Sequence, residues 1–279
     1  QNEQNLDRII KDVNNVLEEM ISASNAIILN DDIIFSLEKN NVDIQEIKEI
    51  EYNLSKVNAA QLFSYNADIY VYNLQGEIYA TTANQDRIIM DEYKKKWIQD
   101  TLEMKGYFNW TSFPHYDKKN LAEYPVIGMA RNILDINGKT VGVLSIEMLN
   151  ERKISSMLYN VIEYKDTERY LIDQNGNIIL GYINNSKQYQ LYQKQWFEDY
   201  KESIYSNQHF NVKFNGENQV ILNQPLQKIK WSVLQITPHK EVFKKLLNYR
   251  NFTISINIIL LCIIIILIIV SANRLTRSI

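Results

Sequence analysis

The residues of this chain best suited to hold a small molecule are aromatic, and they cluster. Phe108, Trp110, Phe113 and Tyr116 share the segment FNWTSFPHY, with Trp97 shortly before it and Tyr70, Tyr72 and Tyr79 on an earlier strand-like run. Flat rings with polar tips offer surfaces for sugar rings or cations and can hydrogen bond as well. Rings joined by a few fixed polar groups make a small-ligand pocket, although the same rings can simply fill a core. Arg131 and Asp135 stand four apart on one strand and so share a face. They could clamp a zwitterion or an acid, or form a rim salt bridge worth under ~1 kcal/mol. The candidate ligand-binding set is therefore Tyr70, Tyr72, Trp97, Trp110, Tyr116, Arg131 and Asp135. The later part of the chain carries Trp196 and Trp231 without a comparable aromatic loop, which suits a relay better than a site.

Catalytic chemistry finds little support. His115, His209 and His239 are far apart, and no metal-ligand spacing, phosphate loop, nucleophile elbow or dinucleotide glycine pattern is present. No catalytic residue, metal or cofactor is expected within these 279 residues. One cysteine, Cys262, excludes a disulfide frame or a thiol redox pair. A net charge of −3 argues against nucleic acid, because phosphate binding needs a basic face. With 46% apolar and 23% charged residues the chain can build a core, and its length suggests roughly two domains.

The elements that must position these residues follow from periodicity. Leu6, Ile10, Val13, Leu17, Met20, Ser24 and Ile27 recur at alternating spacings of four and three, a heptad seam on a long helix. That seam either merely packs on the rest of the domain or belongs to a helix that also pairs with a second subunit. Asp43 to Glu46 reads as a capping box opening a second helix. Strands over 67–73 and 77–82 flank Leu74-Gln75-Gly76, and strands over 126–135 and 140–148 meet at Asn137-Gly138. Helices are expected over 87–105 and 151–163. The pattern then repeats. DIYVYNLQGEIY aligns with ERYLIDQNGNII at an offset of 100, and Val143-Leu-Ser-Ile146 matches Val233-Leu-Gln-Ile236 at an offset of 90. Two α+β modules with antiparallel sheets follow from this.

From Phe252 to Ala272 the chain reads FTISINIILLCIIIILIIVSA, and about 20 such residues cross a ~30 Å hydrocarbon core. Lys240, Lys244, Lys245 and Arg250 precede the span and Arg274 and Arg277 follow it, so flanking charge does not set its direction.

Taken together, DIYVYNLQGEIYATT, the helix with KKKWIQD, GMARNILDINGKTVGVLSIEM, RYLIDQNGNIILG and QPLQKIKWSVLQITPHKEVF resemble the double-Cache sensor region of bacterial transmembrane receptors. The YesM-type sensor histidine kinases are the nearest in character. The resemblance implies stalk helices over 1–64 and a membrane-distal PAS-like Cache module over 65–150. A membrane-proximal Cache module over 151–238 and a connecting helix over 239–251 follow. It places a transmembrane helix over 252–272 and the start of a cytoplasmic, HAMP-like linker over 273–279. It further implies an extracytoplasmic sensor on a cell membrane and a small extracellular ligand in the distal module. It also implies a homodimer, an earlier membrane helix before Gln1, and a kinase with its response regulator beyond Ile279. Amino-acid-sensing relatives carry an Arg-x-Trp element, a Tyr and a later Asp. Trp97, Tyr116 and Asp135 match, while Lys95 takes the arginine's place without its bidentate fork. A sugar or oligosaccharide is thus weighed beside an amino-acid-like ligand. A chemoreceptor, or an anchored carbohydrate-binding or adhesion protein, is the alternative. The Ile, Asn, Lys and Tyr bias suits a Gram-positive bacterium.

Overall fold

Three short turns set the scaffold. In Asn73-x-x-Gly76-Glu77, Asp135-x-x-Gly138-Lys139 and Asp173-x-x-Gly176-Asn177, the first side chain accepts backbone N–H groups two and four residues on, at 2.7–3.1 Å. The glycines have φ of 91°, 77° and 78°, where other residues would be strained. Each turn closes an antiparallel hairpin.

The computed structural model describes residues 2–39, 42–65, 67–81, 92–104, 106–117, 122–148, 156–158, 167–183, 199–204, 209–214 and 216–276. Helices α1 (Asn2–Ile28), α2 (Asp31–Glu38) and α3 (Ile44–Val57) come first. Asn30 caps α2, and Asp43 with Glu46 forms the expected capping box on α3. A π turn and a 3-10 turn lead into the first sheet, which comprises β1 (Ala67–Asn73), β2 (Ile78–Ala80), β3 (Asn109–Asp117), β4 (Ala122–Leu134) and β5 (Thr140–Met148). Helix α4 (Glu92–Glu103) lies between β2 and β3. The second sheet comprises β6 (Glu168–Ile172), β7 (Ile178–Ile183), β8 (His209–Phe214), β9 (Glu217–Pro225) and β10 (Ser232–Pro238). Strand orders β2-β1-β5-β4-β3 and β7-β6-β10-β9-β8 are the same topology twice, antiparallel throughout. The α+β reading with two antiparallel modules holds. The helix expected over 151–163 and Trp196 lie outside the described residues, apart from 156–158.

The registers correct one part of the repeat. Tyr70 lies opposite Ser145 and Tyr170 opposite Leu234, so equivalent residues on β5 and β10 are 89 apart, not 90. A one-residue slip exchanges the two faces of a strand. The 90-residue match pairs look-alike sequences, VLSI and VLQI, whose side chains point to opposite sides.

The seam of α1 is also resolved. Leu6, Ile9, Val13, Val16, Leu17, Met20, Ala23 and Ile27 are buried in one core shared with the inner faces of both sheets. Toward the second module, Gln224 donates to Asp7 at 2.8 Å, the Gln227 N–H to Asn14 Oδ1 at 3.2 Å, and Lys228 pairs with Glu18 at 3.4 Å. Toward the first module, Arg131 donates to Asn25 Oδ1 at 2.7 Å and Ser24 Oγ at 3.3 Å. The seam is thus spent largely on the chain's own two sheets.

After Pro238, α5 (His239–Thr276) runs unbroken for 38 residues. Lys240 holds its first turn to Glu217 of β9 at 3.0 Å. Over His239–Ile266 the helix is long and apolar enough to cross a membrane.

Candidate ligand-binding face of the first module

Alternation along β1, β4 and β5 sorts the first sheet into two faces. Ile69, Val71, Ile127, Met129, Leu144 and Ile146 point inward to the core shared with α1. Tyr70, Tyr72, Val126, Ala130 and Val143 point outward, where α4 crosses with Trp97 and Ile98, and Phe113 joins from β3. Gly128 lets this happen: a Cβ there would stand 2.7 Å from the Trp97 ring and 3.1 Å from Phe113. The Trp97 indole N–H donates to Asn109 O at 3.1 Å, and its ring is tilted against Phe113 with centroids 5.7 Å apart.

The same outer face carries charge. Lys94, one helical turn before Trp97, reaches Glu147 Oε1 at 2.6 Å, with only 6% and 5% of the two side chains exposed. Its Nζ sits 4.0 Å from the Tyr70 ring centroid. Tyr70 Oη donates to buried Asp68 at 3.4 Å, and Ser145 Oγ donates to Glu147 at 3.3 Å. Burial pushes the Glu147 carboxyl above its ordinary range even though Lys94 pulls the other way. Burial first, then the Glu147 charge, drives the Tyr70 and Tyr72 phenols far above theirs. Tyr72 Oη is buried and makes no hydrogen bond of normal geometry, although the Ser145 hydroxyl lies near it. Such a group is a ready donor or acceptor for something placed against it.

Of the residues expected from sequence, Tyr70, Tyr72 and Trp97 come together here. Trp110 and Arg131 do not. Both belong to the inner face, where Trp110 meets Trp231 of the second module edge-on at 6.4 Å and Arg131 lies over Phe108 at 4.7 Å. Arg131 holds α1, and burial lowers its pKa. Asp135 sits in a hairpin turn, its carboxylate held low by the Lys139 and Asn137 N–H groups. The Arg131–Asp135 clamp is therefore absent. Arg131 is on the inner face of β4, whereas Asp135 lies past the register shift at Ile133/Leu134 and the strand's end, in the turn. Tyr116 lies on β3 opposite Glu123, with its side chain outside the described residues.

Lys94, Glu147, Asp68 and Ser145 were not among the expected residues. Two signals could have found them: Lys94 stands three before Trp97 on the helix, and Glu147 interrupts an apolar strand in phase with Ser145. Among the described residues no three His, Cys, Asp or Glu side chains cluster as a metal site.

This fold, with its one polar face, has relatives. The family model dCache_1, Cache domain, matches residues 1–246, and the chain belongs to that family of non-catalytic sensor domains. Among solved structures it is similar to the ligand-binding domain of the Pseudomonas aeruginosa PAO1 amino acid chemoreceptor PctB in complex with L-Arg. That pair has 11% identity and a TM-score of 0.62, over 89% of this chain and 91% of that one. The periplasmic sensory domain of the Campylobacter jejuni chemoreceptor Tlp1 has 15% identity and a TM-score of 0.59, over 86% and 94%. The ligand-binding domain of the Pseudomonas fluorescens chemoreceptor CtaA with L-serine has 15% identity and a TM-score of 0.55, over 85% and 93%. No curated protein matches the chain by sequence.

Proposed function

We propose that this chain is the extracytoplasmic sensor region of a homodimeric transmembrane receptor. It takes a small ligand on the outer face of the first module and passes the signal through α5 across the cell membrane. One observation carries the reading: the first sheet has on that face a buried ion pair, two tyrosines and a seated tryptophan, a set that the described residues of the second sheet, of the same topology, do not repeat. On the described part of the same face the second has Tyr170 among Ile172, Ile204, Val212, Ile221, Leu234 and Ile236. Buried charge in a position that an apolar side chain can fill is costly to keep, and ligand recognition is a reason to keep it.

The output we propose is a histidine kinase of the YesM type, acting on a response regulator and lying beyond Ile279. The chemoreceptor reading has an observation of its own, since the three similar structures above are chemoreceptor domains, two of them in complex with amino acids. The sequence after Ile279 separates the two: a phosphoacceptor histidine with an ATPase domain, or a long methylated coiled coil. Dimerisation, in this reading, uses a surface other than the α1 seam.

The test of the ligand face is calorimetry on the full chain in nanodiscs, titrated with amino acids and with mono- and oligosaccharides. Trp97→Ala should weaken whichever ligand binds by tenfold or more, roughly the ~1.4 kcal/mol of one lost contact. A ligand indifferent to Trp97 but lost on Tyr170→Ala would move the site to the second module.

A further inference from the structure

Two donors on the inner face of the first sheet are left over. The Trp110 indole N–H and the Arg131 Nε–H are buried atoms with no acceptor among the described residues. Buried polar groups are almost always paired, so each exception calls for an explanation. The register makes these two neighbours. Trp110 lies opposite Met129, and Arg131 follows two residues on along β4, on the same face. Phe108 stands against both, its ring 6.5 Å from the Trp110 ring and 4.7 Å from the Arg131 guanidinium carbon. The second module adds Trp231, edge-on to Trp110 at 6.4 Å.

Charge decides what fits between them. Arg131 donates through Nη1 to Ser24 Oγ and Asn25 Oδ1, both neutral, and among the described residues no carboxylate pairs with it. Glu18, two turns earlier on α1, is engaged with Lys228. A guanidinium drawn partly out of water without a counter-ion is costly, and its Nε–H belongs to the fork that grips a carboxylate. The indole N–H is a donor only, and so serves the same anion. The rings of Phe108, Trp110 and Trp231 suit the apolar body of an organic acid better than bare phosphate. Trp110 and Arg131 are half-buried and Asn25 is exposed, so the cluster is reached from solvent. We propose that the junction of the two modules binds a small organic carboxylate, held by the Arg131 Nε–H and the Trp110 indole N–H. This site is separate from the outer face around Trp97 and does not depend on it. Its ligand modulates the coupling of the modules, by as much as it prefers one packing of Trp110 on Trp231 over another.

Acetate is the probe, titrated into the full chain in nanodiscs with tryptophan and arginine nitrogens labelled for NMR. Sodium chloride at matched ionic strength and acetamide are the controls. The Trp110 indole N–H and Arg131 Nε–H signals should move downfield together and saturably. The Trp97 indole, already donating to Asn109 O, should stay. Trp110→Phe identifies the indole signal by its loss. Arg131→Lys keeps the charge without the fork and should raise the acetate Kd about tenfold or more. If Arg131→Lys does not fold, the joint movement of the two signals in the unsubstituted chain decides alone. No movement, movement of Trp110 without Arg131, or an equal effect of chloride or acetamide overturns the site. Movement of Trp97 in place of Trp110 also overturns it and puts the anion on the outer face. If the joint movement appears while no ligand depends on Trp97, the junction site stands and the ligand-face reading falls.

Discussion

Laid on one another by strand register, the two modules differ most on a single face. Asp68, Tyr70, Tyr72, Ser145 and Glu147 of the first correspond to Glu168, Tyr170, Ile172, Leu234 and Ile236 of the second. The tyrosine beside a carboxylate survives in both, with Tyr170 Oη donating to Glu168 at 2.9 Å. The Lys94–Glu147 pair does not recur among the described residues, where Ile236 stands in the place of Glu147 and Tyr170 packs with Ile172, Ile204, Val212, Ile221, Leu234 and Ile236. At the position of Glu147 the same topology is therefore served by an aliphatic side chain, so the strand pairing alone does not require a charge there. Whatever the first copy has beyond that calls for an explanation other than folding.

The largest effect expected is from Glu147→Ala. Breaking a buried pair from one side leaves Lys94 uncompensated and should cost about 3–5 kcal/mol in denaturant unfolding. Making the first module resemble the second, with Lys94→Met and Glu147→Ile together, should recover most of that stability while abolishing the ligand response. A double variant as unstable as Glu147→Ala would show that the pair is needed by the fold, and the comparison would lose its force.

Next is Trp110→Ala, on the inner face. The half-buried ring should cost less than the ~3–5 kcal/mol of a fully buried one. Because Trp110 meets Trp231 across the two modules, the informative readout is coupling. Ligand affinity should hold within about twofold while output through α5 falls. A loss of affinity equal to that of Trp97→Ala would return Trp110 to the ligand site.

A smaller effect separates the glycines. Gly128→Ala drives a Cβ to 2.7 Å from the Trp97 ring, and Gly181→Ala drives one to 2.8 Å from the Tyr170 ring. Each overpacking should cost about 1–3 kcal/mol. Only Gly128→Ala should also weaken ligand, by displacing Trp97. Equal ligand losses from both would mean that the second face takes part.

Much of this was legible in the sequence, and the failures share one cause. Hairpins, capping box, repeat and apolar helix are local patterns, read from spacing alone. Tyr70, Tyr72 and Trp97, which share one face, were legible as a cluster because aromatic residues stand out in the sequence. Which face of a sheet a residue occupies is set by register against other strands, which spacing along one strand does not give, and the register puts Trp110 and Arg131 on the inner face. Lys94 and Glu147 were missed because they are distant in sequence and meet only when α4 lies across β5. The α1 seam was visible, but what it packs against is a tertiary fact. Asp135 was within reach: NLQGE, DINGK and DQNGN share an Asx start and a glycine three residues on.

The smallest effect expected is from Asp135→Asn, and its smallness is the point. Asn73 occupies the same place in the first hairpin and accepts from the Gln75 and Glu77 N–H groups at 3.1 and 2.8 Å, so an amide oxygen serves this turn as well as a carboxylate does. What the carboxylate adds is charge, and the N–H groups of Lys139 and Asn137 lower its pKa. A depressed acid contributes stability above its unfolded value, 3.8 here, that fades as pH falls through the folded one. The melting temperature of Asp135→Asn should therefore lie slightly below that of the unsubstituted chain at neutral pH and converge with it in acid. Ligand affinity at neutral pH should be unchanged, because the residue serves a turn beyond the inner face. An affinity loss of tenfold would restore the clamp with Arg131 and undo the assignment of faces on β4.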